Sequence, residues 1–318
     1  MKKKILFSHN FKREGFTALE GKYEMIYPER SIFTKEEVIK LIGDVNVLVP
    51  NFTFMTDKDI IDRAPKLELI ANFGVGYNTI DTAYAASKNI VVTNTPYSVQ
   101  EPTAELCFGL IISTARRIGY YNYQVRQPEG IGWGLYDNVG LSLRGKTLGI
   151  FGMGRIGQSV ARRAIAFGMN IIYHNRTRLE TSVEEKYNAT YVSFDELLAQ
   201  SDFLSLNAPA TAETFHLIST DEFKKMKKTA ALINTARGAL VDEDALVSAL
   251  KNGDIWAAGL DVYEHEPKIH PELLKLTEST VLSPHAGTQT LEDRLAPQHE
   301  VAENIIGFYN GSKISRVN

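Results

Sequence analysis

Arg237, Glu266 and His285 each stand just past an apolar run: Arg237 after Leu232–Ala236, Glu266 after Ala258–Val262 within Tyr263-Glu264-His265-Glu266-Pro267, and His285 after Val281-Leu282-Ser283-Pro284. If those runs are parallel strands, the three residues gather at the carboxyl ends of a sheet, where open α/β sheets bind ligands. An arginine can fork onto a carboxylate or carbonyl oxygen, and a histidine can deliver a proton near neutral pH. Glu266, if hydrogen-bonded to His285, would favour the imidazolium by charge proximity and so tune the donor rather than replace it. The set suits reduction of a carbonyl, with a cofactor carrying the hydride. Taken singly, each residue has another reading. Arg237 is a partner for Asp242 or Glu243, Glu266 is one of two surface carboxylates, and His285 is a turn residue.

The stretch Thr147–Gly157 reads TLGIFGMGRIG, so Gly152, Gly154 and Gly157 form a Gly-x-Gly-x-x-Gly turn directly after an apolar strand. Ile156, Val160 and Ala164 supply helical spacing beyond it, and Ile171–Tyr173 supplies the next strand of a βαβ unit. In that context Gly152 permits the tight turn and Gly154 lets backbone N–H groups approach a pyrophosphate. Gly157 allows close helix–strand packing under a positive helix N-terminus. An NAD-preferring site usually places an acid ~20 positions past the glycines to bind the ribose 2′-hydroxyl. This chain instead reads Tyr173-His174-Asn175-Arg176-Thr177-Arg178. Arg176 can pair with a 2′-phosphate, Asn175 and Thr177 can donate hydrogen bonds, and Arg178 can add charge. NADP(H) is the favoured cofactor; NAD(H), with Asn175 alone on the ribose beside a solvated basic loop, is the alternative.

Nearer the N-terminus, Asn72-Phe73-Gly74-Val75-Gly76-Tyr77 follows another apolar run, and the N–H groups of Val75 and Gly76 can bind an anion there. A plain strand–loop–helix turn explains the same residues. Asn51, Phe52, Phe73, Tyr77 and Arg294 flank the same loop ends and are candidates for substrate selectivity.

The elements that must position these residues alternate in type. Short apolar runs at Lys4–Ser8, Val45–Val49, Leu67–Asn72 and Ile90–Thr93, with helix-like segments between them, predict an α/β unit with a parallel sheet. A helix is expected from about Glu101 to Tyr121, followed by the Gly- and aromatic-rich segment Gln127–Gly140, which has no periodicity. A second series runs through Lys146–Phe151, Asn170–Tyr173, Phe203–Leu206, Ala230–Asn234, Ile255–Leu260 and Thr280–Leu282, and Leu291–Tyr309 reads as a closing helix. The expected fold is therefore α/β, with two Rossmann-like doubly wound parallel-sheet domains separated by a cleft. Residues 1–98, completed by 289–318, would bind substrate, and 99–288 would bind the dinucleotide.

Composition narrows the partners. The chain has 318 residues, 44% of them hydrophobic, and a formal net charge of −3, so it carries no basic field for nucleic acid. No apolar run reaches the roughly 18 residues of a membrane span. The single cysteine, Cys107, excludes an intrachain disulfide and fits a reducing, cytoplasmic setting. His174 in the cofactor loop, His216 and His270 in polar turns, His265 between glutamates and His299 on the closing helix show no metal-ligand spacing, and His9, ending the first strand, either lines the cleft or stands in a surface turn.

The segments GIFGMGRIG at 149–157, NTARG at 234–238 with Val241-Asp242, GLDVY at 259–263 through Glu266-Pro267, and SPHAG at 283–287 occur in this order. Over nearly its whole length the chain resembles the D-isomer-specific 2-hydroxyacid dehydrogenase family, including its NADPH-linked glyoxylate/hydroxypyruvate reductases. The resemblance implies that the family's catalytic arginine falls on Arg237, its acid on Glu266 rather than Glu264, and its proton-donating histidine on His285. It implies cofactor contacts at Arg155, Ile156, Thr235, Ala236, Arg237, Asp261 (facing a carboxamide) and Gly287, and a substrate carboxylate on Val75 and Gly76. Formate dehydrogenases, related proteins, carry glutamine where Glu266 stands, which argues against formate. A homodimer through the cofactor domains is also implied, with the long helix and the Gln127–Gly140 segment at the interface. Trp133 there either packs or reaches a partner's site. The expected activity is hydride transfer between NADP(H) and a small 2-oxo acid/D-2-hydroxy acid pair, glyoxylate or hydroxypyruvate first. An NAD-dependent enzyme for a bulkier 2-oxo acid and a non-catalytic dinucleotide sensor are the alternatives, and the intact three-residue set favours the enzyme.

Overall fold

The computed structural model describes residues 2–51, 53–132 and 134–318, so Phe52 and Trp133 lie outside the described residues. The chain divides into two compact units, Met1–Val99 with Thr288–Asn318, and Gln100–Gly287.

In the first unit, strands β1 (Lys4–Phe7), β2 (Glu24–Ile26), β3 (Val47–Val49), β4 (Leu69–Ala71) and β5 (Val91–Thr93) form a sheet in the order β2-β1-β3-β4-β5. Every pairing is parallel. Ile5, Val47 and Leu69 face one core, while Leu6, Leu48 and Ile70 face another, which is why these strands read as continuous apolar runs rather than alternating ones. The helices start where side chains cap them: Thr34, Asp57 and Asp81 accept the N–H groups of Glu37, Ile60 and Tyr84. The closing helix, Leu291–Asn310, lays Val301, Ala302 and Ile305 on the core that holds Phe7, Val49 and Ala71. Strand order reverses between β1 and β3, so the loops after them, with the turn after β4, form the ligand-facing end of this sheet.

The second unit holds β6 (Thr147–Phe151), β7 (Asn170–His174), β8 (Ala189–Tyr191), β9 (Phe203–Leu206), β10 (Ala231–Asn234), β11 (Ala257–Leu260) and β12 (Thr280–Leu282). The order is β12-β11-β10-β9-β6-β7-β8, again all parallel, with an apolar core on each face and the reversal between β6 and β9. β10, β11 and β12 are neighbours, so their exits, which carry Arg237, Glu266 and His285, lie side by side.

The single helix expected over Glu101–Tyr121 is two, Gln100–Ala115 and Ile118–Gln124. Arg117 takes a left-handed conformation, φ 54°, and its guanidinium pairs with Glu278 at 2.6 Å. The Ala115 carbonyl accepts the N–H of Leu141 at 2.7 Å instead of continuing the helix. Gly140 permits that return, since a Cβ there would stand 2.3 Å from the Ala115 oxygen. Cys107 is fully buried in the first of these helices. Among the described residues no helix is long and apolar enough to cross a membrane, and no His/Cys/Asp/Glu cluster could hold a metal ion.

Candidate active site

β6 ends against Gly152, whose φ of 89° favours glycine and whose Cβ would meet the Ala208 nitrogen at 2.8 Å. Gly157 sits against the same turn, because a Cβ there would meet the Gly152 oxygen at 2.6 Å. Gly154, by contrast, opens on empty space and is the residue before helix Arg155–Ala166. A cradle of this shape, with helix N–H groups at its floor and no side chain above Gly154, fits a pyrophosphate. Arg155 is exposed and Ile156 half-buried at the first turn of that helix.

At the exits of β10, β11 and β12 the polar groups converge. Asn234 pins the turn after β10: its Oδ1 accepts the Ala236 N–H at 3.0 Å and its Nδ2 donates to the Arg237 carbonyl at 2.9 Å. Thr235 is buried, Ala236 and Arg237 half-buried. Burial pulls the Arg237 guanidinium below its ordinary range, and the charge of Glu266 opposes this. Glu266 accepts from His285 Nδ1–H at 2.8 Å and from the Tyr263 N–H at 3.0 Å. Burial pushes the Glu266 carboxyl up, but the His285 contact, the Tyr263 N–H and the charge of Arg237 outweigh it and hold the group below its usual value. With Nδ1–H given to a carboxylate, Nε2 is the ring nitrogen from which His285 would exchange a proton with a substrate. His285 itself stands at φ 55°, a left-handed conformation uncommon for residues other than glycine.

Asp261 holds it there. Its carboxylate, 1% exposed, accepts the Ser283 hydroxyl at 2.6 Å, the Ala286 N–H at 2.7 Å and the Gly287 N–H at 3.0 Å, while its carbonyl accepts the His285 N–H at 2.8 Å. Asp261, expected opposite a carboxamide, also braces the 283–287 loop with these oxygens.

The D-isomer specific 2-hydroxyacid dehydrogenase NAD binding domain model matches residues 108–287. A glyoxylate reductase of Thermococcus litoralis is 43% identical over 316 residues, covering 98% of this chain and 95% of its own. The chain belongs to the D-isomer specific 2-hydroxyacid dehydrogenase family. It is an oxidoreductase. Among solved structures, a glyoxylate reductase from Paecilomyes thermophila superposes with a TM-score of 0.90 at 37% identity, covering 99% of this chain and 98% of its own. An NADPH-dependent glyoxylate/hydroxypyruvate reductase from Sinorhizobium meliloti, solved with NADP and malonate, gives 0.86 at 34%, covering 100% and 97%.

In this dehydrogenase the acid that pairs with His285 is Glu266; Glu264 pairs with His216 at 2.8 Å. Asp242 and Glu243, the alternative partners for Arg237, are engaged elsewhere, Asp242 with Ser219 and the Ala245 N–H, Glu243 with the Glu264 N–H. In the loop after β7, Arg178, expected to add charge to a phosphate site, is instead forked onto Glu184 at 2.9 and 2.8 Å, and Tyr173 donates to the same carboxylate at 2.5 Å. Arg176 and Thr177 are exposed, and Asn175 accepts the Met153 N–H at 2.7 Å, which ties the loop to the glycine turn.

In the first unit the turn after β4 is built by residues that sequence reasoning missed. Buried Asn72 donates to the carbonyls of Gly74 and Gly76 at 3.0 and 2.9 Å, and Asn94 donates to that of Val75 at 2.8 Å. The Thr95 N–H donates to the Gly74 carbonyl at 3.1 Å. With the carbonyls of Gly74 and Val75 drawn inward, the trans peptides turn the N–H groups of Val75 and Gly76 the other way. Asparagine at strand exits is a turn signal, and that signal was present in the sequence. The selectivity candidates divide: Phe73 is buried and packs on Phe11 at 5.0 Å, and Asn51 accepts from Thr53, whereas Tyr77 is exposed. Arg294 donates to Gln289, and Phe52 lies outside the described residues.

Proposed function

We propose that this dehydrogenase reduces glyoxylate or hydroxypyruvate with NADPH, residues 99–288 binding the dinucleotide and 1–98 with 289–318 binding the substrate. The observation that carries the reading is the 2.8 Å contact of Glu266 with His285 Nδ1, one strand exit away from Arg237. Bound nicotinamide supplies the hydride. Arg237 orients the substrate and polarises its carbonyl oxygen, and His285 delivers a proton from Nε2 to that oxygen as charge develops there. Glu266 fixes the ring and balances its charge. Val75 and Gly76 offer backbone N–H groups to the substrate carboxylate.

For the cofactor, Gly152, Gly154, Arg155, Ile156 and Gly157 form the phosphate cradle, and Asn175, Arg176 and Thr177 read the ribose end. Thr235, Ala236 and Gly287 contact the cofactor beside them, and Asp261, which also holds the 283–287 loop, faces the carboxamide. The exposed Arg176, in a loop with no acid, supports NADP over NAD, as does the Sinorhizobium relative solved with NADP. The glyoxylate reductases among the relatives support the substrate. A cytoplasmic homodimer completes the reading: the one thiol is free and buried, and the 118–139 segment leaves apolar side chains in solvent.

Initial rates with NADPH and NADH across glyoxylate, hydroxypyruvate, pyruvate, 2-oxoisocaproate and phenylpyruvate test this. The highest kcat/KM belongs to NADPH with glyoxylate or hydroxypyruvate. A preference for NADH removes the cofactor assignment, and a best rate with a branched or aromatic acid removes the substrate assignment.

A further inference from the structure

Glu264 and Glu266 leave one loop for different partners. Glu266 takes His285, whereas Glu264 takes His216 Nε2–H at 2.8 Å. His216 is not the plain turn residue its surroundings in the sequence suggest. It stands at φ 49°, carries Phe215 stacked on its ring at 4.0 Å, and donates its backbone N–H to the Ala239 carbonyl at 2.8 Å. The next bonds, Ile218 N–H to Leu240 and Asp242 N–H to Ile218, both 3.0 Å, zip this segment onto the stretch that follows Arg237.

Glu243 works on the same loop from below. Its side chain, in a residue 5% exposed, accepts the Glu264 N–H at 2.9 Å. Burial pushes its carboxyl up although that N–H pulls it down, so an expensive buried acid is kept here for one backbone contact. Gly238, the residue after Arg237, touches the same peptide: a Cβ on it would stand 1.9 Å from the Tyr263 carbonyl carbon and 2.3 Å from the Glu264 nitrogen. The chemistry described above uses none of these groups.

We propose that Glu243 and His216 are positioning residues, clamping the Tyr263–Glu264 peptide to the Arg237–Gly238 turn and so fixing Glu266 in register with His285. The inference rests on reading Glu266 and His285 as the pair that delivers the proton. Misplacing such a pair by about 1 Å is enough to cost ~10²-fold in rate.

The test compares Glu243→Leu, Glu243→Gln, His216→Leu and Glu266→Gln in the full-length enzyme. The readouts are kcat with glyoxylate, NADPH affinity by fluorescence, and the solvent deuterium isotope effect on kcat. Glu243→Leu and His216→Leu should lower kcat about tenfold to a hundredfold and raise the isotope effect, with NADPH affinity unchanged. Glu243→Gln, which keeps the acceptor oxygen, should restore kcat. The proposal is overturned if kcat holds in both leucine variants while Glu266→Gln is impaired, or if NADPH affinity falls in step with kcat. An unimpaired Glu266→Gln overturns the reading of the pair instead. Should Glu243→Leu fail to fold, His216→Leu, at a half-buried site, decides alone.

Discussion

Arg176 and Arg178 carry the same side chain two positions apart, and their neighbours give them different work. Arg178 is held by a two-pronged bond to Glu184, whereas Arg176, likewise exposed, enters no salt bridge among the described residues. Arg176→Ala should therefore lower kcat/KM for NADPH by roughly tenfold to a hundredfold and leave NADH nearly unchanged, in steady-state rates with one substrate. Equal losses for both cofactors would remove Arg176 from phosphate recognition. Arg237, Glu266 and His285 were legible as residues because each follows an apolar run. The long-range bonds that hold the loops were not: Asp261 reaches Gly287 across 26 positions beneath His285 and, in the first unit, Asn94 reaches Val75 across 19; the residue types signal turns, but no local pattern announces the partner.

Elements were legible to the extent that burial wrote them. Strands buried on both faces appear as apolar runs, whereas β2 and β8, three-residue edge strands reading Glu24-Met-Ile26 and Ala189-Thr-Tyr191, carry too little apolar signal to stand out. The break at Arg117 was hidden because a left-handed arginine needs its tertiary partners, Glu278 and the returning Leu141. The helix Thr181–Tyr187 shows what one element does for a site. Its Glu184 fastens both Arg178 and Tyr173, and the Tyr173 hydroxyl accepts the Leu179 N–H at 3.0 Å, so the helix holds the loop that presents Arg176. The Arg178 guanidinium first, then the Tyr173 hydroxyl, hold the Glu184 carboxyl down from 4.5 to about 2. A carboxyl depressed on folding stabilises the folded state above its unfolded value and loses that contribution as pH falls toward its folded one. The wild type should therefore melt above Glu184→Gln by a margin that is constant above pH 4.5 and narrows toward pH 2. Melting curves taken across that range check it; a margin independent of pH would mean that Glu184 acts by packing alone.

For the whole molecule the unanswered surface is the 118–139 stretch. Leu135 is 84% exposed and Tyr136 82%, and Ile118, Tyr123, Val125 and Val139 beside them in sequence are exposed as well. Scattered apolar residues need no explanation, but a concentration of them in one segment marks an interaction surface. The sequence showed only an aromatic- and glycine-rich stretch without periodicity, because whether such residues are covered is decided by the fold around them. The proposed homodimer would cover this face with a second copy of the chain. Across a two-fold axis each residue is buried twice, so burying one Leu135 and its mate is worth about 3–6 kcal/mol before the cost of association. Light scattering should accordingly give a mass of twice 35.5 kDa for the wild type. Leu135→Asp combined with Tyr136→Asp places charge in the same contact on both copies and should return 35.5 kDa particles with an unchanged circular dichroism spectrum. A wild type that scatters as a monomer would remove the dimer outright, and a double variant that stays dimeric would move the interface to another face of the chain.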